Sequence, residues 1–113
     1  MLDLITMKNI IITSVLLLLS NKSIAAAKVS YINVDGSILV FSTYEAKAAA
    51  SPGCVLSGDA EKWALDLTTQ AGISSYNMLL TALANNLKVA VVSAGDCSVR
   101  EGIERPQSVA LSQ

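Results

Sequence analysis

The hydrophobic and polar positions of the chain follow two periods, and each period predicts a different kind of element. Over residues 69–87 apolar residues recur at steps of three and four, the period of one helix face. The members of this stripe are Ile73, Tyr76, Leu80, Leu83 and Leu87. We expect one long helix over residues 69–87, packed on a sheet. Thr68 or Thr69 suits its N-cap, and Asn85–Asn86 suits a left-handed end.

After residue 27, the rest of the chain shows the two-residue alternation or the short apolar runs of β-strands. Residues 28–34 and 37–43 flank Asp35–Gly36, a pair that predicts a β-hairpin with a type I′ turn. Further strands are expected at residues 61–67, 88–93 and 107–112. The predicted fold is α+β and mostly β. It is a five-stranded OB-like barrel or curled antiparallel sheet, with the one helix between strands 3 and 4.

Two of these strands differ in the burial they predict. In residues 61–67, Trp63, Leu65 and Leu67 share one face, so we expect that face alone to be buried. Trp63 is then a core residue, and stacking on a ligand is its alternative role. Residues 88–93 are almost continuously apolar, which favours burial on both faces.

A further apolar run lies near the N-terminus. Lys8 precedes the run 10–19, and after a short polar stretch come Ala25, Ala26 and Ala27. This order is typical of a secretory signal peptide, and the run is shorter than the roughly 20 residues needed to cross a membrane. We therefore predict a signal peptide over residues 1–27, cleaved after Ala27 or after Ala25. The remaining domain, residues 28–113, is expected in the periplasm or outside the cell. Met7 is an alternative start to Met1.

The charge of the mature chain argues against one class of partner. Without residues 1–27 it has six basic and eight acidic residues, a net charge of −2, and no basic cluster. Nucleic acid is therefore not an expected partner. A domain of this size buries only about 60–65% of its surface on folding, so a covalent cross-link would add a large share of its stability.

Cys54 and Cys97 are the only cysteines in the sequence. In an oxidising compartment they have one intramolecular pairing, and we predict a structural disulfide. A redox couple would more often have the spacing Cys-x-x-Cys, and a zinc site would need four ligands. Closing a loop of this length is worth roughly 4 kcal/mol in the chain-entropy model.

The sequence lacks the residue that most often serves as a catalytic base or metal ligand. The chain has no His, which removes the usual base of a Ser or Cys nucleophile and the commonest metal ligand. No phosphate-binding glycine loop or calcium-loop spacing is present either. The acids lie mostly in turns and on polar strand faces, where solvation explains them. We expect no enzymatic activity, no cofactor and no metal.

Three features of the sequence occur in a characteristic order. The segment MKNIIITSVLLLLS comes first, Cys54 lies shortly before the Trp63 strand, and the helix leads directly into KVAVVSAGDC. This order resembles that of the B subunits of bacterial AB5-type toxins, and most nearly that of small exported proteins similar to the subtilase cytotoxin B subunit. The resemblance implies an OB barrel crossed by a helix, a pentameric ring, and binding to cell-surface glycans. No sugar-binding motif matches residue by residue, so the ligand-binding residues are unknown.

Two classes of function follow from these observations. The first is a glycan- or receptor-binding module that forms a homo-oligomer. The second is a small periplasmic protein with a structural or inhibitory role and no carbohydrate ligand. The helix bears on the choice because Met78 and Leu79 widen its apolar surface. That surface predicts self-association, and the alternative is that the helix lies deep in its own domain.

Overall fold

The computed structural model of the chain describes residues 26–112. The predicted signal peptide lies outside these residues except for Ala26 and Ala27. The elements in chain order are β1 (Ala26–Asp35), β2 (Ile38–Thr43), β3 (Lys62–Asp66), α1 (Gln70–Asn85), β4 (Lys88–Ser93) and β5 (Pro106–Ser112). One 3-10 turn, Ser57–Asp59, lies in the long connection between β2 and β3.

The five strands form one antiparallel sheet in the order β3-β2-β1-β4-β5. The helix lies between β3 and β4 along the chain, so the predicted fold class is confirmed. The sheet curls until β3 approaches the segment before β5, where Trp63 and Glu104 form a single parallel bridge. Over residues 26–112 the sheet does not close into a barrel.

The first two strands form the predicted hairpin, but its turn differs from the prediction. Asp35 pairs with Ile38, so the two loop residues are Gly36 and Ser37 rather than Asp35 and Gly36. Gly36 has a φ of 61°, and Asp35 is not among the described residues with positive φ. Glycine at the first of two loop positions is the pattern of a type II′ turn. The type I′ prediction is therefore wrong, because only one residue of the loop has a positive φ.

Both ends of α1 agree with the sequence. The Thr69 hydroxyl accepts a hydrogen bond of 2.9 Å from the Gly72 amide, which satisfies one of the free donors of the first turn. At the other end Asn86 takes the left-handed conformation, with φ 56° and ψ 37°. The helix is therefore limited at both ends by the residues that the sequence indicated.

The side of the helix that faces the sheet includes only part of the predicted stripe, because Tyr76 and Leu87 pack against the core and the other three members do not. Its buried residues are Gly72, Leu79 and Ala82, whereas Ile73, Leu80 and Leu83 are 46%, 42% and 48% exposed. Gly72 explains the rotation, because it lies against the Asp66 carbonyl and fixes which side meets β3. Leu79 follows two turns later on that side and is fully buried. The prediction that Leu79 adds to a free surface is wrong.

The core has an inner and an outer part. The inner part lies between the sheet and α1, and it contains Phe41, Trp63, Leu79 and Val89. Trp63 is therefore a core residue, as predicted. Phe41 stacks beside it, with ring centroids 6.4 Å apart.

The outer part lies on the other face of β2 and β3, where Ile103 packs on Val40 and Ala64. The prediction of a single buried face for β3 is wrong, because the connection between β4 and β5 crosses its outer face. That connection does not cover β4 in the same way. Only Val89 of β4 is fully buried, so the predicted burial on both faces of β4 is wrong as well.

Candidate functional site

Cys54 and Cys97 form a disulfide, as predicted. The bond joins the β2–β3 connection to the β4–β5 connection, which pack side by side outside the sheet. Next to it, the Leu56 amide donates to the Gly102 carbonyl at 3.0 Å. Gly102 has a φ of 85°, and a Cβ there would meet the Leu56 side chain at 2.7 Å. Both the backbone and the close contact therefore require glycine at position 102.

The two ends of the β4–β5 connection are held together by Asp96 and Arg105. Nε and Nη2 of Arg105 donate to the two oxygens of Asp96 at 2.9 and 2.8 Å. The Arg105 amide also donates to the Asp96 carbonyl at 2.8 Å. Arg105 and the two hydrogen bonds from Ser98 hold the pKa of the Asp96 carboxyl well below its usual range. The same pairing raises the pKa of Arg105. The β4–β5 connection, residues 94–105, is therefore held in one conformation, and we refer to it below as the wall.

Pro106 explains why the sheet stays open beside this wall. The Ala64 amide donates to the Glu104 carbonyl at 2.9 Å, which is one bond of a parallel ladder. The next bond of such a ladder would run from the amide of residue 106 to the Ala64 carbonyl. Residue 106 is a proline and has no N–H. The ladder between β3 and β5 therefore ends after Glu104, and the strands part beyond it.

A cleft of about 350 Å³ occupies the gap between the two strands. Its volume lies at the lower end of the range for ligand-binding pockets, about 300–1,000 Å³. Four segments line it: the end of β3, the first turns of α1, the wall near Ser98, and the start of β5. The side chains that can form hydrogen bonds in it are Asp66, Thr69, Ser75, Ser98, Arg105, Gln107 and Ser108.

The two charged residues of the cleft already have partners. Arg105 uses two of its five N–H groups on Asp96, which leaves three donors. The Asp66 carboxylate accepts from the amide and the hydroxyl of Thr68, and these bonds lower its pKa. The remaining polar groups are hydroxyls and one amide. Asp96 compensates the charge of Arg105, whereas Thr68 leaves Asp66 charged, so the cleft suits a ligand that forms several hydrogen bonds and is not acidic.

The opposite end of the curled sheet is closed by Lys47, from the connection between β2 and β3. Its Nζ lies 3.0 Å from Glu104 Oε1 and 2.6 Å from the Lys62 carbonyl. It also lies 4.1 Å from the centre of the Trp63 ring. The Lys47 and Glu104 side chains are only 7% and 3% exposed. Because Lys47 covers one face of the ring and Phe41 stacks beside it, only 5% of Trp63 is exposed, at the edge of a hollow that it helps to line. This hollow, of about 190 Å³, is smaller than the cleft.

The remaining predicted sites stand as follows. Ala27 is a buried residue of β1, and it pairs with Val89 of β4. Ala25, the alternative cleavage position, lies outside the described residues. Among residues 26–112 no group of three or more potential metal ligands comes together. Within the same residues no helix has the length and apolar character needed to cross a membrane.

The residues of the cleft could not be singled out from the sequence. They come from four separate segments, so no local motif connects them. One signal was present, because proline at the start of a strand indicates a sheet edge or the end of a ladder. Pro106 precedes the last predicted strand and therefore pointed to an open edge there.

Comparison with known proteins found no match for this chain, whether among protein-family models, curated sequences or solved structures.

Proposed function

We propose that this chain is an exported, non-catalytic binding module that holds its ligand in the cleft between β3 and β5. The observation that carries the proposal is the opening of the sheet at Pro106, which leaves a cleft walled by four segments. A wall fixed by a disulfide and by a two-bond arginine–carboxylate pair supports recognition, because a rigid site loses little entropy on binding. The ligand class is a cell-surface glycan or a protein receptor, as in the toxin B subunits that the sequence resembles.

Two exposed alanines give a matched test of the cleft. Ala71 lines the cleft, whereas Ala50, in the β2–β3 connection, does not. We expect Ala71→Trp to fill the cleft and to abolish binding of the exported protein to a glycan array or to cultured cells. Ala50→Trp, which leaves both the cleft and α1 unchanged, should bind like the wild type. Equal binding by both variants would show that the ligand binds outside the cleft.

The export proposal rests on the order of residues 1–27 and on a disulfide that an oxidising compartment favours. It places the mature protein in the periplasm or outside the cell. The alternative function is a small periplasmic protein with a structural or inhibitory role and no carbohydrate ligand. A wild-type protein that binds neither the array nor cells would favour that alternative.

We propose further that the exposed helix stripe Ile73, Leu80 and Leu83 contacts a second copy of this chain. These side chains are 42–48% exposed, and spacings of seven and three residues place them on one face of the helix. The sixteen residues of α1 include no acid and no base. When two copies meet across a two-fold or ring contact, such a face brings no like charges together.

Light scattering coupled to size-exclusion chromatography tests this contact. Leu80→Lys should convert the oligomer to a monomer without unfolding, because Leu80 lies outside the core. Ser74→Lys, an exposed change on α1 about 120° around the helix from Leu80, is the matched control and should leave the mass unchanged. A ring of five would agree with the toxin-like proposal. A wild-type monomer at all concentrations would contradict the self-association proposal.

A further inference from the structure

The free edge of β5 forms one side of the cleft. β5 is the last strand in the sheet order. Within residues 26–112 no strand pairs with its other edge, and the single bridge to β3, between Trp63 and Glu104, lies just before Pro106. Every second residue of such an edge directs its N–H and C=O groups away from the sheet. Gln107 and Ser108 line the cleft and are exposed, so this edge is accessible from the cleft.

The residues around this edge leave room for a backbone. Three of the polar side chains that line the cleft are short serines, Ser75, Ser98 and Ser108. Leu65, Val99 and Val109 add apolar surface to the same cleft. An extended chain places alternate side chains on opposite faces, so one set can meet this apolar surface while the other set points outward.

The composition of the cleft argues against a sugar as its ligand. Among the described residues, none that lines the cleft is aromatic. Phe41 and Trp63 are core residues, and the ring of Trp63 is covered by Lys47. A sugar ring would have no aromatic face to stack on here. Asp66 keeps its negative charge because its partner Thr68 is neutral, so the cleft disfavours an acidic ligand next to it.

We propose that the ligand is an extended polypeptide segment that adds as a strand to the free edge of β5. This inference rests on the proposed binding function of the cleft and names its ligand class. The segment occupies the place in which a closed barrel would join β5 to β3. Main-chain hydrogen bonds to β5 give the affinity, and the apolar floor of the cleft selects alternate side chains. The segment carries no acidic side chain next to Asp66.

The test uses the exported full-length mature protein and a phage-displayed library of random heptapeptides. We expect the selection to enrich peptides that bind the wild type and Ala50→Trp but not Ala71→Trp. A selected peptide is then synthesised with one backbone N–H methylated at a time. Because only alternate amides of an added strand face β5, methylation should weaken binding about tenfold at every second position and little between them.

Each other outcome counts against a defined part of the argument. Enriched peptides whose methylation effects lack the two-residue alternation would overturn strand addition. A glycan-array signal that Ala71→Trp abolishes, with no enriched peptide, would overturn the peptide ligand and leave the binding function of the cleft intact. No binding on either the array or the library, and none to cells, would contradict both proposals.

Discussion

The packing of α1 on β3 depends on Gly72, and Gly72→Ala measures that dependence. A Cβ at this position would lie 2.8 Å from the Asp66 carbonyl carbon and closer still to its oxygen. The obstacle is backbone, so no side chain can rotate away to relieve the contact. The start of the helix would have to move away from β3. A hydrogen bond of 2.9 Å from the Thr69 hydroxyl to the Asp66 carbonyl opposes this movement.

Two opposing effects set the size of the change. Replacing glycine by alanine inside a helix contributes up to about 1 kcal/mol of stability. Overpacking costs about 1–3 kcal/mol, and a clash with backbone belongs at the upper end of that range. We therefore expect a net loss of about 2 kcal/mol. For a domain of this size that loss lowers Tm by roughly 8–16 °C.

Thermal and urea unfolding of the exported protein measure this loss. Gly58→Ala is the matched control, since nothing lies within 4 Å of a Cβ at that position and its φ is not positive. The control should change the free energy of unfolding by less than about 0.5 kcal/mol. If Gly72→Ala were as stable as the wild type, the close approach of helix and strand would not determine the rotation of α1.

Four further predictions follow from the same structure. Pro106→Val restores an N–H donor opposite the Ala64 carbonyl, so hydrogen exchange should show a protected amide at residue 106. An amide that exchanges freely there would contradict the explanation that Pro106 keeps the sheet open. Lys47→Met leaves Glu104 buried without its cation, and urea unfolding should show a loss of about 3–5 kcal/mol that adding Glu104→Gln partly restores. Because the pKa of Asp96 is lowered in the folded protein, its contribution to stability is complete above about pH 4 and is lost as the pH falls through the native pKa. The Tm of Asp96→Asn should therefore fall less on acidification than the Tm of the wild type. Intact-mass measurement of the exported protein should give a chain that begins at Ala26, because cleavage after Ala27 would remove two residues that pair with β4. A mature chain that begins at Lys28 would contradict this cleavage position.

The elements of the fold could be predicted because each has a local signal. Thr69 and Asn86 mark the ends of α1, glycine marks the β1–β2 turn, and two-residue alternation marks the strands. The disulfide followed from there being only two cysteines. Local signals did not determine which side of α1 meets the sheet, because its apolar residues extend over more than half of its circumference. That choice depended on one long-range contact, between Gly72 and the Asp66 carbonyl.

The cleft could not be predicted for a related reason. Its residues are ordinary serines, a glutamine and an arginine, and only the packed structure brings them together. The burial of Ala64 was missed in the same way, since Ile103 covers it from a segment about forty residues away along the chain. Sequence periodicity describes one element at a time. It does not report which distant segment covers that element.

The open sheet and the fixed wall beside it depend on neighbouring residues. Pro106 ends the ladder between β3 and β5, which removes hydrogen bonds that a closed barrel would have. Directly before it, Arg105 binds Asp96, and the disulfide at Cys97 anchors the same connection to the β2–β3 segment. The wall is thus held by a covalent bond and an ion pair instead of by the missing ladder. A cleft bounded by such a wall keeps its shape without a ligand, which is the property that binding with little rearrangement requires.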